Sequence, residues 1–485
     1  MKILRPNLTP IPFARVALNI GAGLDVPTGN YVTGQYGDMV LNGGLSQLTG
    51  IAAVPNTFKS TIQLYMLLCA LERILTGIMA HNDKAKKPFA HQTSCQGYDT
   101  EVNMQVEGLL RLIYRFKLLV EMDAYRSGII SVSDAGNYMG DAYYDLVKEF
   151  RRMKTKMVNE LMVPTAFYNH FKGELLQIIL PTFEYIDSFS RFDTQDVDDI
   201  RQKNSLGDSA ANAQHLRQNL TKTAYLVEQP AAVAQAGVYL SMVAHVGETS
   251  TMGQNPMAAP LPKKLQDLPT GLKLKMVPDQ FLFLTHNCWY ITPARPMINQ
   301  DTKEVRYPRD SNDNNYLDPD LKTVTMVQLR GKNGMTGVKI PIVISQQEGL
   351  LPHLSNFNYL KEHDVRGFGF NGNNVHYELD LMPGVKMGRT TVRGKLDSNP
   401  ALCRAMEFTA ELRQIIDYKY YQYKDLLCTP AELFKDIQAA GYDWDELLAT
   451  RGWHTVFDSD VDQKRLTTLD LLRMRKGLYK PYWKQ

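Results

Sequence analysis

The chain has 485 residues, beyond the ~250–300 at which a single hydrophobic core stops growing, so one small module is excluded. A composition that is 44% hydrophobic, 10% aromatic and 22% charged excludes a largely disordered chain. Fifty-four Lys plus Arg against 51 Asp plus Glu leave a net charge of +3, so any nucleic-acid surface must come from local clustering and not from bulk charge.

Cys69, Cys95, Cys288, Cys403 and Cys428 are too dispersed for a zinc knuckle or a dense disulfide scaffold, which fits a reducing cytosol. The first residues lack a continuous apolar run, and the apolar stretch 64–78 is cut by Glu72 and Arg73. A cytoplasmic protein with no secretion signal and no membrane span is therefore expected.

Taken in chain order, residues 1–40 are rich in Gly, Pro and Asn and read as an irregular or strand-like N-terminal arm. Residues 49–54 form an apolar run ending in Pro55-Asn56-Thr57, and 58–78 carry helical periodicity: a strand, a tight loop, then a helix. Residues 105–180 are read as mostly helical. Strands are predicted at 183–186, 238–243, 281–291, 323–329 and 338–344. Strands separated by helices early and adjacent strands later predict an α/β fold with a mixed, mostly parallel sheet in a core of 41–350. After Gly349, Asn- and Gly-rich turns and helices at 400–423 and 430–439 predict an α+β C-terminal domain, 351–485, with a basic tail.

The sharpest local signal is Ala53-Val54-Pro55-Asn56-Thr57-Phe58-Lys59-Ser60-Thr61. A phosphate loop needs backbone N–H groups around a phosphate, a Lys reaching the β and γ oxygens, and a Ser or Thr hydroxyl for Mg²⁺. Lys59 and Ser60 fit, while Ala53 and Phe58 stand at the two consensus glycine positions. Tyr98-Asp99-Thr100-Glu101 places an acid at a strand end, where a carboxylate can polarise an attacking water. Tyr185-Ile186-Asp187-Ser188 ends an apolar strand with an Asp suited to a Mg²⁺ shell, though an isolated Asp there is also an ordinary cap. Ala244-His245-Val246-Gly247-Glu248 puts a polar side chain at another strand tip. In this order the four motifs describe one site at the carboxyl ends of parallel strands.

These motifs resemble those of the RecA superfamily of strand-exchange ATPases, most closely its large-phage branch, the UvsX recombinases. The branch's S-F-K-S loop resembles Thr57-Phe58-Lys59-Ser60, its Y-D-S-E resembles Tyr98-Asp99-Thr100-Glu101, its F-I-D-S resembles Tyr185-Ile186-Asp187-Ser188, and its N-H-T-Y-E resembles Ala244-His245-Val246-Gly247-Glu248. The likeness covers roughly residues 40–350, with a fainter echo to about 415.

The resemblance implies a RecA-like P-loop ATPase core with helical insertions that uses ATP and Mg²⁺. Pro55, Asn56, Thr57, Phe58, Lys59, Ser60 and Thr61 would form the phosphate loop, with Ser60 and Asp187 on the metal, Glu101 activating water and His245 sensing the γ-phosphate. Arg330 and Lys332 would complete a neighbour's site in trans. DNA contacts would come from Arg201, Lys203 and Arg217 in a loop at about 191–219, and from Met252, Lys263 and Lys264 at about 248–275. The implied function is filament formation on single-stranded DNA with homologous pairing and strand exchange into double-stranded DNA, in recombination, repair and replication. Single-strand-binding and loading proteins would be partners, in the cytoplasm of an infected bacterial host if the protein is phage-encoded. The N-terminal arm, at Ile11-Pro12-Phe13-Ala14, would contact a neighbouring protomer.

Two alternatives stay open. Pro55 lies where DnaB-type helicases, which form hexameric rings, also carry a Pro. The missing glycines fit a RecA-fold scaffold that binds nucleotide or DNA without hydrolysis. The tail 464–485, with seven Lys or Arg and one Asp, fits nucleic-acid binding or docking on the core equally well.

Overall fold

The computed structural model describes residues 15–203, 210–248, 268–269, 272–299, 301–309, 320–332, 334–363, 365–372 and 375–485. All six residues of strand β1 (Leu48–Ala53) are buried, as in a parallel strand covered on both faces. It runs through a short loop into helix α1 (Lys59–Lys84), which is buried along most of its length. Gly77 sits inside that helix because a Cβ there would lie 2.0 Å from the carbonyl oxygen of Val456. Among the described residues α1 is the one helix long and apolar enough to cross a membrane, and its most apolar window is 72% buried within the fold.

Eight further strands complete the main path of the sheet: β2 (Cys95–Asp99), β3 (Ile130–Asp134), β4 (Thr182–Asp187), β5 (Val238–Glu248), β6 (Asn287–Ile291), β7 (Leu321–Gly331), β8 (Lys339–Ser345) and β9 (Gly349–Leu350). Their order is β9-β8-β7-β6-β1-β5-β4-β2-β3, with Leu272–Lys275 added beside β5 and Arg295–Pro296 beside β7. From β3 to β6 every neighbouring pair is parallel, and β7, β8 and β9 each run antiparallel to the strand before them. The protein is thus α/β with a large, mostly parallel mixed sheet. Where β2 lies beside β4, the Tyr185 ring covers Gly97 so closely that a Cβ would meet it at 2.1 Å.

Alternation sorts side chains between the two faces. Ile51, Phe183, Tyr185, Val243 and Trp289 pack with α1, whereas Ala52, Tyr98, Ile186, Met242 and Tyr290 pack with residues of α2 (Gly140–Lys156) and α3 (Ala210–Ala236). A separate apolar cluster is formed by α4 (Pro352–Glu362), a three-stranded antiparallel sheet, α5 (Pro400–Tyr423) and the helices Pro430–Ala439 and Thr468–Arg475. Val26, Tyr31 and Leu41 from the N-terminal stretch also enter it.

Several readings need correction. Residues 105–180 are not mostly helical: they contain β3 and an antiparallel hairpin, Met162–Asn169 with Glu174–Ile179, whose turn carries Gly173 at φ 71°. The predicted strand 281–291 divides into a short helix, Gln280–Leu284, and β6, because Phe281 and Leu282 bury their side chains from a helical turn. Residues 191–219 are helical over Gln195–Lys203 and from Ala210 onward, with Gln195 donating to Asp199 and Gln202 to Asp198 one turn apart.

The basic tail docks on the fold. Arg465 pairs with Asp38 and Asp458, Arg475 with Asp436, and Lys464 and Lys484 with Glu446, while Tyr482 stacks on Tyr36. Nearby, His454 donates its amide to Asn19 Oδ1 at 3.1 Å and sets its ring edge-on to Phe167, joining the segments around Asn19 and His454 to the hairpin. Burial pushes its imidazole down from 6.5 to about 3. Below pH 6.5 the unfolded chain takes a proton that the folded ring refuses, so this contribution is present above 6.5 and is lost as pH falls toward 3. Between pH 7.5 and pH 5, urea unfolding is expected to show the stability of wild type falling by about 2 kcal/mol relative to His454→Phe. A gap independent of pH would mean that the ring titrates alike in both states.

Candidate functional site

The carboxyl ends of β1, β2, β4 and β5 meet at an open cleft of about 1420 Å³, lined by residues 55–61, Glu101, His245, Lys275 and Lys322 among others. The loop out of β1 is closed by Thr57 Oγ1 donating to the Val54 carbonyl at 2.9 Å. Asn56 and Phe58 hold left-handed φ values of 59° and 61°. Phe58 stands at the consensus glycine position before the Lys, so the backbone has the conformation that glycine permits, and the Phe side chain packs against the core beside α1. Phe58 also N-caps α1 with no side-chain bond, which leaves the first-turn amides to a ligand at the positive end of a 26-residue helix.

Asp187 follows Phe183 and Tyr185 on the α1 face of β4, and the Ser60 hydroxyl hydrogen-bonds to its carboxylate. Burial raises the Asp187 carboxyl above its ordinary value, opposed by that bond and by the charge of Lys59. Thr100 ties β2 to β4: its amide donates to Asp187 O at 2.9 Å, its hydroxyl donates to Ser188 O at 2.8 Å, and the Ser188 amide donates back to Oγ1 at 2.8 Å. The Asp187–Ser188 peptide bond is cis.

Asp99 accepts the amides of Glu101, Asn103 and Met104 at 2.9, 2.8 and 2.7 Å, folding the chain after β2 into a fixed turn. That turn presents Glu101. Its Oε1 lies 2.5 Å from His245 Nε2 and accepts from Ser188 Oγ at 2.8 Å, and Oε2 accepts from Asn103 Nδ2 at 3.2 Å. The bond to His245, with help from Ser188 and Lys59, holds the Glu101 carboxyl down at about 2. The His245 amide in turn donates to Ser190 Oγ at 2.8 Å, whose hydroxyl donates to the Lys275 carbonyl at 2.9 Å.

Lys59, Ser60, Thr61, Glu101, Asp187 and His245, which lie far apart in sequence, therefore meet in one place. The set fits a nucleotide with Mg²⁺. Ser60 and Asp187 supply two hard oxygen donors, and among the described residues no group of three or more His, Cys, Asp or Glu could hold a metal by itself. With phosphate oxygens, these two donors could make up part of a Mg²⁺ shell.

Arg330 and Lys332 lie elsewhere. The register pairs Cys288 with Arg330 and with Gly50 of β1, which puts Arg330 at the amino end of the parallel strands, opposite the cleft. Lys332 lines a second cavity of about 540 Å³ with Arg15 and His286, and Arg330 lies over the Phe283 ring. The Lys203 and Arg217 side chains are exposed on helices, and Arg201 lies in Gln195–Lys203. Met252, Lys263, Lys264 and residues 11–14 lie outside the described residues. Sequence reasoning gave no role to Asp99, Ser188 or Ser190, nor to Lys275 and Lys322 on the cleft wall. The Asp two residues before Glu101 and the Ser directly after Asp187 were the available signals. No protein-family model matches the chain, and no curated protein matches it.

Proposed function

We propose that the chain is an ATP-dependent recombinase of the RecA superfamily, similar to the UvsX type, that forms filaments on single-stranded DNA and exchanges strands with double-stranded DNA. The observation that carries the nucleotide-hydrolase part is the meeting of Lys59, Ser60, Asp187, Glu101 and His245 at adjacent strand ends. The motif resemblance carries the recombinase part. Arg330 and Lys332 at the far end of the sheet are suited to serve a second copy, as head-to-tail contact in an open filament requires.

In this reading Lys59 and the first-turn amides of α1 hold the β and γ phosphates, and Ser60 and Asp187 hold the metal. Bound Mg²⁺ supplies charge neutralisation at the phosphate oxygens. Glu101 orients a water and takes its proton. While His245 is bonded to Glu101, the carboxylate is a weak base of pKa about 2. When His245 turns to a phosphate oxygen, Glu101 loses its strongest hydrogen bond and becomes more basic. The pair thereby ties base strength to occupancy of the γ-phosphate position.

The test is ATP hydrolysis with and without single-stranded DNA, with negative-stain imaging of the same samples. Lys59→Ala is expected to weaken nucleotide binding by about ten- to a hundredfold, the loss of one charged hydrogen bond to phosphate. DNA-stimulated turnover on open helical filaments supports the recombinase. Closed six-membered rings favour a helicase, and DNA binding without turnover leaves a scaffold.

A further inference from the structure

Lys222 lies within α3 and is 0% exposed. Its ammonium donates to the Ser190 carbonyl at 2.7 Å and to the Met276 carbonyl at 2.9 Å, and lies 5.8 Å from the centre of the Phe189 ring. Ser190 belongs to the turn that follows Asp187, and Met276 directly follows Leu272–Lys275, the strand paired with β5 so that Lys275 faces His245. The two carbonyls thus belong to the two segments that flank His245.

The same two segments are joined a second time by the Ser190 hydroxyl, which accepts the His245 amide and donates to the Lys275 carbonyl. Met276 is held at φ 54°, a conformation that residues with a side chain rarely adopt, and Lys222 bonds the carbonyl of this strained residue. A buried ammonium is costly unless its protons are used, and an apolar side chain would fill the slot more cheaply if packing were its only task.

We propose that Lys222 is a positioning residue for the His245–Glu101 pair, acting through Ser190. By fixing the Ser190 and Met276 carbonyls it sets where the Ser190 hydroxyl stands, and hence where the His245 backbone presents Nε2 to Glu101. A displacement of the Leu272–Lys275 strand reaches His245 both through its pairing with β5 and through this node. The inference rests on the nucleotide-hydrolase reading above.

The experiment compares wild type, Lys222→Met and Ser190→Ala for nucleotide affinity, turnover, and the ratio of turnover with and without single-stranded DNA. Both variants are expected to keep wild-type nucleotide affinity within about twofold and to lose about ten- to a hundredfold in turnover, the scale of a misplaced catalytic group. Their DNA-stimulation ratio is expected to fall toward one. A merely structural Lys222 would lower the melting temperature and the folded fraction without moving that ratio. If Lys222→Met does not fold, Ser190→Ala carries the test, because it leaves the Ser190 carbonyl in place for the ammonium. Active wild type with an unchanged ratio and turnover in Ser190→Ala overturns the proposal alone. Wild type that binds nucleotide without turning it over overturns the hydrolase reading, and the proposal with it.

Discussion

Glu101→Gln is expected to slow ATP turnover by about 10²- to 10⁴-fold, the usual worth of a positioned base, while nucleotide affinity changes by no more than a few-fold. The amide fills the same volume and still accepts from Ser188, so the turn held by Asp99 has no reason to move. What goes is the capacity to take a proton. Single-turnover hydrolysis and an equilibrium titration with a fluorescent nucleotide separate the two quantities. Retention of the wild-type rate would place water activation on another group.

The same carboxylate makes a statement about pH. With its pKa lowered to about 2, chiefly by His245, Glu101 stays ionised above pH 4 and is lost as a base only as pH falls through 2. His245→Ala removes the largest cause of that depression. The acid limb of kcat/KM, which reports the free enzyme, should then move up toward the ordinary glutamate value of 4.5.

Local pattern carried the elements that make their own boundaries. The helix read at 400–423 coincides with α5 because Asn399 caps it and Pro400 opens it, and the helix at 430–439 begins at a Thr429–Glu432 capping box. The loop between β1 and α1 was legible for the same reason: Pro55, Asn56 and Thr57 break an apolar run before a periodic one. The hairpin at 162–179 was not, because its strands, MVPTAFYN and ELLQII, lie beside amphipathic helices and owe their extended form to pairing and to Phe167 buried against His454. The meeting of Glu101 with His245 depends on the order β2-β4-β5, which brings together residues 144 positions apart. No local period encodes that order. The position of Arg330 at the far end of the sheet follows from the reversed direction of β7, which is likewise a property of pairing.

Removing the guanidinium of Arg151 is expected to cost more stability than any other single change considered, about 3–5 kcal/mol for Arg151→Ala, because it strands a buried charge. Arg151 on α2 is 4% exposed and Glu184 on β4 is 1% exposed. The guanidinium pairs with both carboxylate oxygens of Glu184 and donates to Gln229 Oε1 on α3 at 2.7 Å. Burial alone would favour a neutral Arg151, and the charge of Glu184 instead keeps it protonated well above the ordinary range. Glu184 faces away from α1 while Asp187, three residues on, faces toward it, so one strand bears the ion pair on one face and the candidate metal ligand on the other. Denaturant unfolding measures the loss. Arg151→Met with Glu184→Leu should recover most of it, since an apolar pair of similar volume carries no desolvated charge. If the single and double variants are equally unstable, the stability lies in packing around α2 and not in the charge pair. If Arg151→Ala unfolds at the wild-type denaturant midpoint, Glu184 reaches water or another partner once the arginine is gone.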